Sequence, residues 1–240
     1  MALSASTSKT SVVLNIVAEP PARRTYVAFG LERGGTSPVA GIMRALGLDL
    51  GEIDEGNNED KRFQAKGLGQ LRTVIAARNE TQDVWGWKYP PAVSYLPVLV
   101  KAIRNPYFVV VYRDVVATAL SRHQWDGKFL RRSVRMSLHE ANATTNANTS
   151  FALATGRPCL LVSNEKASRD TDALIDEIAD FLNVETPPDD LRVQIREYVR
   201  PGSYKAFADF FPNPLPFRER PPREPGSLQT DRSEADQVPA

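Results

Sequence analysis

Three groups of residues in this chain have the types and spacing to hold an anionic ligand, and a fourth group is acidic. Gly30-Leu-Glu-Arg-Gly-Gly-Thr-Ser37 sets a cation, Arg33, beside Gly34, Gly35 and the hydroxyls of Thr36 and Ser37. Lys88 closes the run Val84-Trp-Gly-Trp-Lys88. Arg113 follows the apolar run Tyr107–Tyr112, and Ser121 lies eight residues further on, about two helical turns away. The acidic stretch Asp49–Asp60 carries Glu59 and Asp60. Arginine suits phosphate because its planar donors bind two oxygens at once. The plain alternatives are a structural glycine turn, an Arg113–Asp114 pair that only stabilises a helix, and an acidic loop in solvent.

The elements that must position these groups follow from periodicity. Thr25–Phe29 is β-branched and aromatic and predicts a buried strand, ended by Gly30. Thr36, Ser37 and Pro38 open a helix, with a hydroxyl to cap it; Val39, Ile42, Met43 and Leu46 give its apolar face and Gly47 stops it. Strand, glycine loop and helix N-terminus bring unpaired N–H groups and the helix dipole to one spot, which favours an anion. Helices are predicted over 62–78, 91–104, 170–182 and 191–199, and further strands over 84–90, 107–112 and 157–163. The continuous apolar run at 107–112 fits a sheet covered on both faces. Alternating strands and helices make an α/β chain with a parallel sheet.

The glycine loop has Walker A spacing, but Thr36 stands where the nucleotide-binding lysine belongs. With Arg33 three positions earlier, the loop resembles the phosphosulfate loop of sulfotransferases that use 3′-phosphoadenosine 5′-phosphosulfate (PAPS). Arg113 with Ser121 resembles that family's 3′-phosphate grip, Val115 replacing a frequent proline. Ser163-Asn-Glu165 resembles its late Ser-Tyr-Glu, with Asn164 in place of the tyrosine. Arg200-Pro-Gly202 resembles a late Arg-Lys-Gly segment that also reaches the 3′-phosphate. The resemblance covers about residues 25–183 and is to the bacterial type. It implies a three-layer α/β sandwich of the P-loop NTPase-like kind, with a central parallel sheet of about four to five strands.

The activity so implied is transfer of a sulfuryl group from PAPS to a hydroxyl or amine of a carbohydrate or small-molecule acceptor, with no metal. Arg33, Gly34, Gly35, Thr36, Ser37, Arg113, Ser121 and Arg200 would bind the donor, and Arg33 and Lys88 would stabilise the leaving oxygen. Glu59 is the first candidate for the base, Asp60 the second and His123 the third. Acceptor pockets in the family come from variable loops, here 49–61 and 125–155. Two other functions stay open: a binding module that keeps a degenerate nucleotide site, and a metal-dependent nucleotide kinase, against which Thr36 counts.

Composition bounds the rest. The chain has 240 residues, 42% hydrophobic, enough for one substantial core. A net charge of +1 supplies no broad field for nucleic acid. Lys128, Arg131, Arg132 and Arg135 read either as a solvated helix face or as a lining for an acidic acceptor. His123 and His139 have no metal-ligand spacing with each other or with Cys159. Cys159, the single cysteine, excludes an intrachain disulfide and fits a buried structural thiol in a reducing compartment. No apolar run is long enough to cross a bilayer and no cleavable signal pattern is present, so a cytoplasmic location is expected. Residues 1–24 read as an arm, either an edge strand or partly disordered. Residues 25–210 read as the sulfotransferase-like domain, and 211–240 as a Pro-rich tail too poor in core formers to order. Monomer and homodimer are both open.

Overall fold

The computed structural model describes residues 5–64, 67–126, 133–200, 202 and 205–221. Lys128, Arg131 and Arg132 of the basic group lie outside them, as do residues 222–240. In chain order, β1 (Ala5–Thr7) and β2 (Ser11–Leu14) precede β3 (Arg24–Gly30), which leads through the glycine loop into α1 (Thr36–Ala45). A small hairpin, β4 (Ile53–Asp54) and β5 (Glu59–Asp60), is followed by α2 (Leu68–Thr81), β6 (Val84–Lys88), α3 (Leu96–Leu99) and β7 (Pro106–Tyr112). Then come α4 (Val115–Asp126), α5 (Val134–Ala154), β8 (Cys159–Ser163), α6 (Asn164–Arg169), α7 (Thr171–Leu182), α8 (Asp189–Val199) and α9 (Phe207–Phe210).

Six strands form one sheet in the order β1-β2-β8-β7-β3-β6. The last four are parallel, while β2 runs antiparallel to β8 and β1 antiparallel to β2. The parallel part thus has four strands, within the four to five expected, and residues 5–14 add an antiparallel edge. Thr10 and Ser11 help fasten that edge, their hydroxyls donating to Glu177 on α7. Strand side chains alternate between two cores, as the pleat requires. Tyr26, Ala28, Val109, Val111, Leu160 and Val162 face α1, α7 and α8. Val27, Phe29, Phe108, Val110 and Cys159 face α2, α3 and α5. Helices thus cover both faces, and the molecule is a three-layer α/β sandwich. Burial pushes the Cys159 thiol up to about 12, which suits an inert core residue. Among the described residues no helix is long and apolar enough to cross a membrane.

Three expectations need correction. The helix predicted over 91–104 is broken into α3 and flanking 3₁₀ turns at Pro90–Ser94 and Val100–Ala102; Pro97 removes the amide that a continuous helix would pair with the Val93 carbonyl. The hydroxyl cap expected for α1 is absent: Gly35 is the N-cap and no side chain caps it. Residues 211–221, expected to lack fixed structure, pack on the body instead. Phe211 is buried, Phe217 packs against the core, and Glu219 pairs with Arg24 at 2.8 Å. The Arg220 amide donates to the Asn183 carbonyl, and Val184 and Glu219 form an antiparallel bridge.

Candidate active site

The four parallel strands point their C-terminal ends, Gly30, Lys88, Tyr112 and Ser163, at one edge of the sheet. β3 is flanked by β6 on one side and β7 on the other, so the chain reverses its direction of strand addition there. Such a switch point opens a crevice, since the connections leave on opposite sides. The crevice is a cleft of about 700 Å³.

One wall is the glycine loop. Arg33 (φ 61°) and Gly35 (φ 89°) both take left-handed backbone. A Cβ on Gly35 would stand 2.0 Å from the Asn164 Oδ1 and would strain the left-handed backbone, so glycine suits this position. The uncapped N-terminus of α1, with no acid in its first turn, points its amides and the positive end of its dipole into the cleft. Gly34 does not face the ligand space; its amide closes the turn on the Leu31 carbonyl at 2.9 Å.

The turn after β7 is tied to that loop. Arg113 Nη1 donates to the Arg33 carbonyl at 2.7 Å, and Arg33 Nε lies 3.5 Å from Ser121 Oγ. Asp114 caps α4 by accepting from the Ala117 amide. Arg33, Arg113 and Ser121 thus line one side of the cleft together. Arg200 stands on its rim, its side chain 70% exposed and 3.6 Å from Glu197. Lys205 lines the same rim and donates to the Glu197 and Arg200 carbonyls.

Lys88 forms the floor. Its side chain is 2% exposed, and its Nζ donates to Glu59 Oε1 at 2.8 Å, the Asn57 carbonyl at 3.0 Å and Ser37 Oγ at 3.3 Å. Ser37 Oγ in turn donates to the Asn57 carbonyl; it lies inside the first turn of α1, one residue past the start, and so is not placed to cap it. Burial lowers the Lys88 pKa below the ordinary lysine value, and the charge of Glu59 opposes the shift. Glu59 also accepts from Gln64 Nε2 at 3.1 Å.

The other two base candidates lie elsewhere. Consecutive residues of β5 point to opposite sides, so Asp60 turns away from the cleft. It is fully buried between Arg62, at 2.7 Å, and Arg78, at 3.5 Å. His123 is exposed on α4 and does not line the cleft. The structure therefore brings Arg33, Gly35, Thr36, Ser37, Glu59, Lys88, Arg113, Ser121 and Arg200 around one space and leaves Gly34, Asp60 and His123 out of it.

Sequence reading missed several cleft residues. Glu32 and Arg122 line it and pair at 3.1 Å, with Glu140 on the other side of Arg122 at 3.2 Å. Arg122 directly follows Ser121, so the same helical turn pointed to it. Tyr198 and Asn164 line it too; in the sequence Asn164 shows only as a lost aromatic. Tyr198 comes from a distant helix, and no local pattern marks it.

No family model matches the chain, and no curated protein does. Among solved structures the chain is similar to the sulfotransferase domain of the Synechococcus PCC 7002 olefin synthase, at 16% identity and a TM-score of 0.47 over 74% of this chain and 80% of that one. The sulfotransferase domain from the curacin biosynthetic pathway gives 13% and 0.49 over 74% and 78%. A Mycobacterium avium sulfotransferase gives 11% and 0.49 over 80% and 76%. With identities this low, what the cleft does is read from its own side chains.

Proposed function

We propose that the protein is a PAPS-dependent sulfotransferase acting on a hydroxyl- or amine-bearing acceptor. One observation carries the reading: an uncapped helix N-terminus, the Arg33–Arg113–Ser121 group and the Lys88–Glu59 pair all open onto the same cleft. In this reading Arg113, Ser121 and Arg200 hold the 3′-phosphate of the donor. The α1 amides, Thr36, Ser37 and Arg33 hold the 5′-phosphosulfate.

The acceptor oxygen forms a bond to sulfur while the bond from sulfur to the bridging oxygen breaks in line. That electron pair stays on the phosphate oxygen of the departing adenosine 3′,5′-bisphosphate. Arg33 and Lys88 stabilise the charge growing there, and Glu59 takes the acceptor proton. Lys88 already uses three acceptors, so a hydrogen bond to the bridging oxygen requires one of them to yield.

The test is transfer of radiolabelled sulfuryl from PAPS to a panel of sugars, phenols and amines. Label recovered in an acceptor, lost with Lys88→Ala, supports the reading. Tight donor binding with no transfer to any acceptor favours the binding module instead.

A further inference from the structure

The turn between β4 and β5 holds a side chain that spends all its polarity inward. Asn58 takes left-handed backbone (φ 61°) and is 1% exposed. Its Nδ2 donates to the Ser37 carbonyl at 3.2 Å and to Tyr198 Oη at 2.7 Å, and its Oδ1 accepts from Arg44 Nη1 at 2.6 Å. These partners come from the first turn of α1, the end of α8 and the last turn of α1. Asparagine fits because one amide supplies both donors and acceptor, and because it tolerates this backbone.

The neighbours of Asn58 hold the floor of the cleft. The Asn57 carbonyl accepts from Lys88 and Ser37, and Glu59 pairs with Lys88. Tyr198 cannot retreat from Asn58 toward α1. Its ring presses on Gly41, where a Cβ would stand 2.1 Å from Cε1, and Phe207, Phe210 and Phe211 surround its other edges. Two residues beyond Tyr198 is Arg200 on the cleft rim.

We infer that Asn58 is a positioning residue: with Tyr198 it fastens the β4–β5 hairpin to α1 and α8, and so sets where Glu59 and the Asn57 carbonyl hold the Lys88 ammonium. This rests on the sulfuryl-transfer reading for its consequence in catalysis, but the geometry it asserts is testable without activity. Asn58 does not line the cleft and acts only through its neighbours.

The experiment compares two variants of the full chain. Asn58→Gly keeps the left-handed backbone and deletes the three hydrogen bonds. Tyr198→Phe keeps the ring and deletes one acceptor. Acetic anhydride labels lysines, and peptide mass spectrometry reads the rate at Lys88 against that at Lys9, whose side chain is 77% exposed. Labelling at Lys88 relative to Lys9 rises about tenfold in both variants, the scale of one buried hydrogen bond. The affinity for adenosine 3′,5′-bisphosphate stays within about threefold, and kcat for sulfuryl transfer falls about tenfold or more with little change in donor KM.

Ile195→Val in the core of α8 is the control for general loosening. If Lys88 stays protected in both variants, or is exposed as much by Ile195→Val at matched melting temperature, the inference is overturned. A wild-type protein that transfers no sulfuryl group refutes the functional reading, and the labelling ratio still decides the positioning role.

Discussion

Cutting the chain after Arg218 removes the carboxylate that neutralises a buried arginine. The Arg24 side chain is fully buried at the start of β3, bonded to Glu219 Oε1 at 2.8 Å, Tyr26 Oη at 2.8 Å, and the Pro21 and Leu182 carbonyls at 3.0 and 3.1 Å. Without Glu219 the guanidinium keeps only neutral acceptors. Breaking a fully buried pair costs about 3–5 kcal/mol. Glu219 is 38% exposed, however, and solvent screening brings the loss to about 2 kcal/mol. The Arg220–Asp180 pair lost with it is largely exposed on the aspartate side and adds little. For a chain of this length the loss lowers the melting temperature by about 4–8 °C. Thermal and urea melts of the full chain and the truncation measure it. Arg24→Met supplies the internal check: it costs less in the truncated chain than in the full one, because the stranded charge is gone. Arg24 lies about 20 Å from Gly30 along β3, so bisphosphate affinity is unchanged. Equal melting temperatures for the two lengths would refute the reasoning.

Three further outcomes are expected of the cleft. Arg113→Ala weakens adenosine 3′,5′-bisphosphate binding by about 1.5–3 kcal/mol while leaving adenosine 5′-phosphosulfate, which lacks the 3′-phosphate, nearly unaffected; calorimetry with both ligands decides, and equal losses contradict the assignment. Arg33→Ala and Lys88→Ala each cut turnover about 10²–10³-fold with little change in donor affinity, and wild-type turnover in either removes that residue from the leaving-group site. The cost of burying the Lys88 charge is fully present below its lowered pKa and is relieved as the pH rises toward the ordinary lysine value. Glu59→Gln removes a charge that raises that pKa, so the Lys88 midpoint followed by ¹⁵N NMR moves further down; a midpoint that stays or rises speaks against the pair.

The sheet and its main crevice were legible because their signals are local. Thr25–Phe29 and Tyr107–Tyr112 are apolar runs long enough to be buried strands, and the glycines between Gly30 and Gly35 permit one sharp turn. What stayed hidden depends on partners far along the chain. The hydroxyls of Thr36 and Ser37 read as helix caps, but the left-handed turn at Gly35 starts the helix one residue earlier and puts both inside it, where the Ser37 hydroxyl turns to the distant Asn57 carbonyl. The stretch 211–221 reads as unstructured because proline and charge set its composition. What orders it is a buried arginine 195 positions away, together with the apolar contacts of Phe211 and Phe217. Asn58 looks like any loop asparagine; its three partners come from two helices that the sequence does not bring together. Glu59 and Asp60 are adjacent and chemically alike, and only the two-residue period of β5 sends one to Lys88 and the other to Arg62 and Arg78.

The most direct test of the central claim is a thermal-shift titration of the wild-type chain with adenosine 3′,5′-bisphosphate and, separately, with ATP and magnesium. A ligand held by the α1 N-terminus, Arg33, Arg113 and Ser121 stabilises the native state by about 2.7 kcal/mol at a hundredfold excess over its Kd. The bisphosphate raises the melting temperature accordingly, while ATP with magnesium, lacking the 3′-phosphate and meeting Thr36 where a P-loop lysine would stand, does not. Stabilisation by ATP with magnesium and none by the bisphosphate would contradict the account.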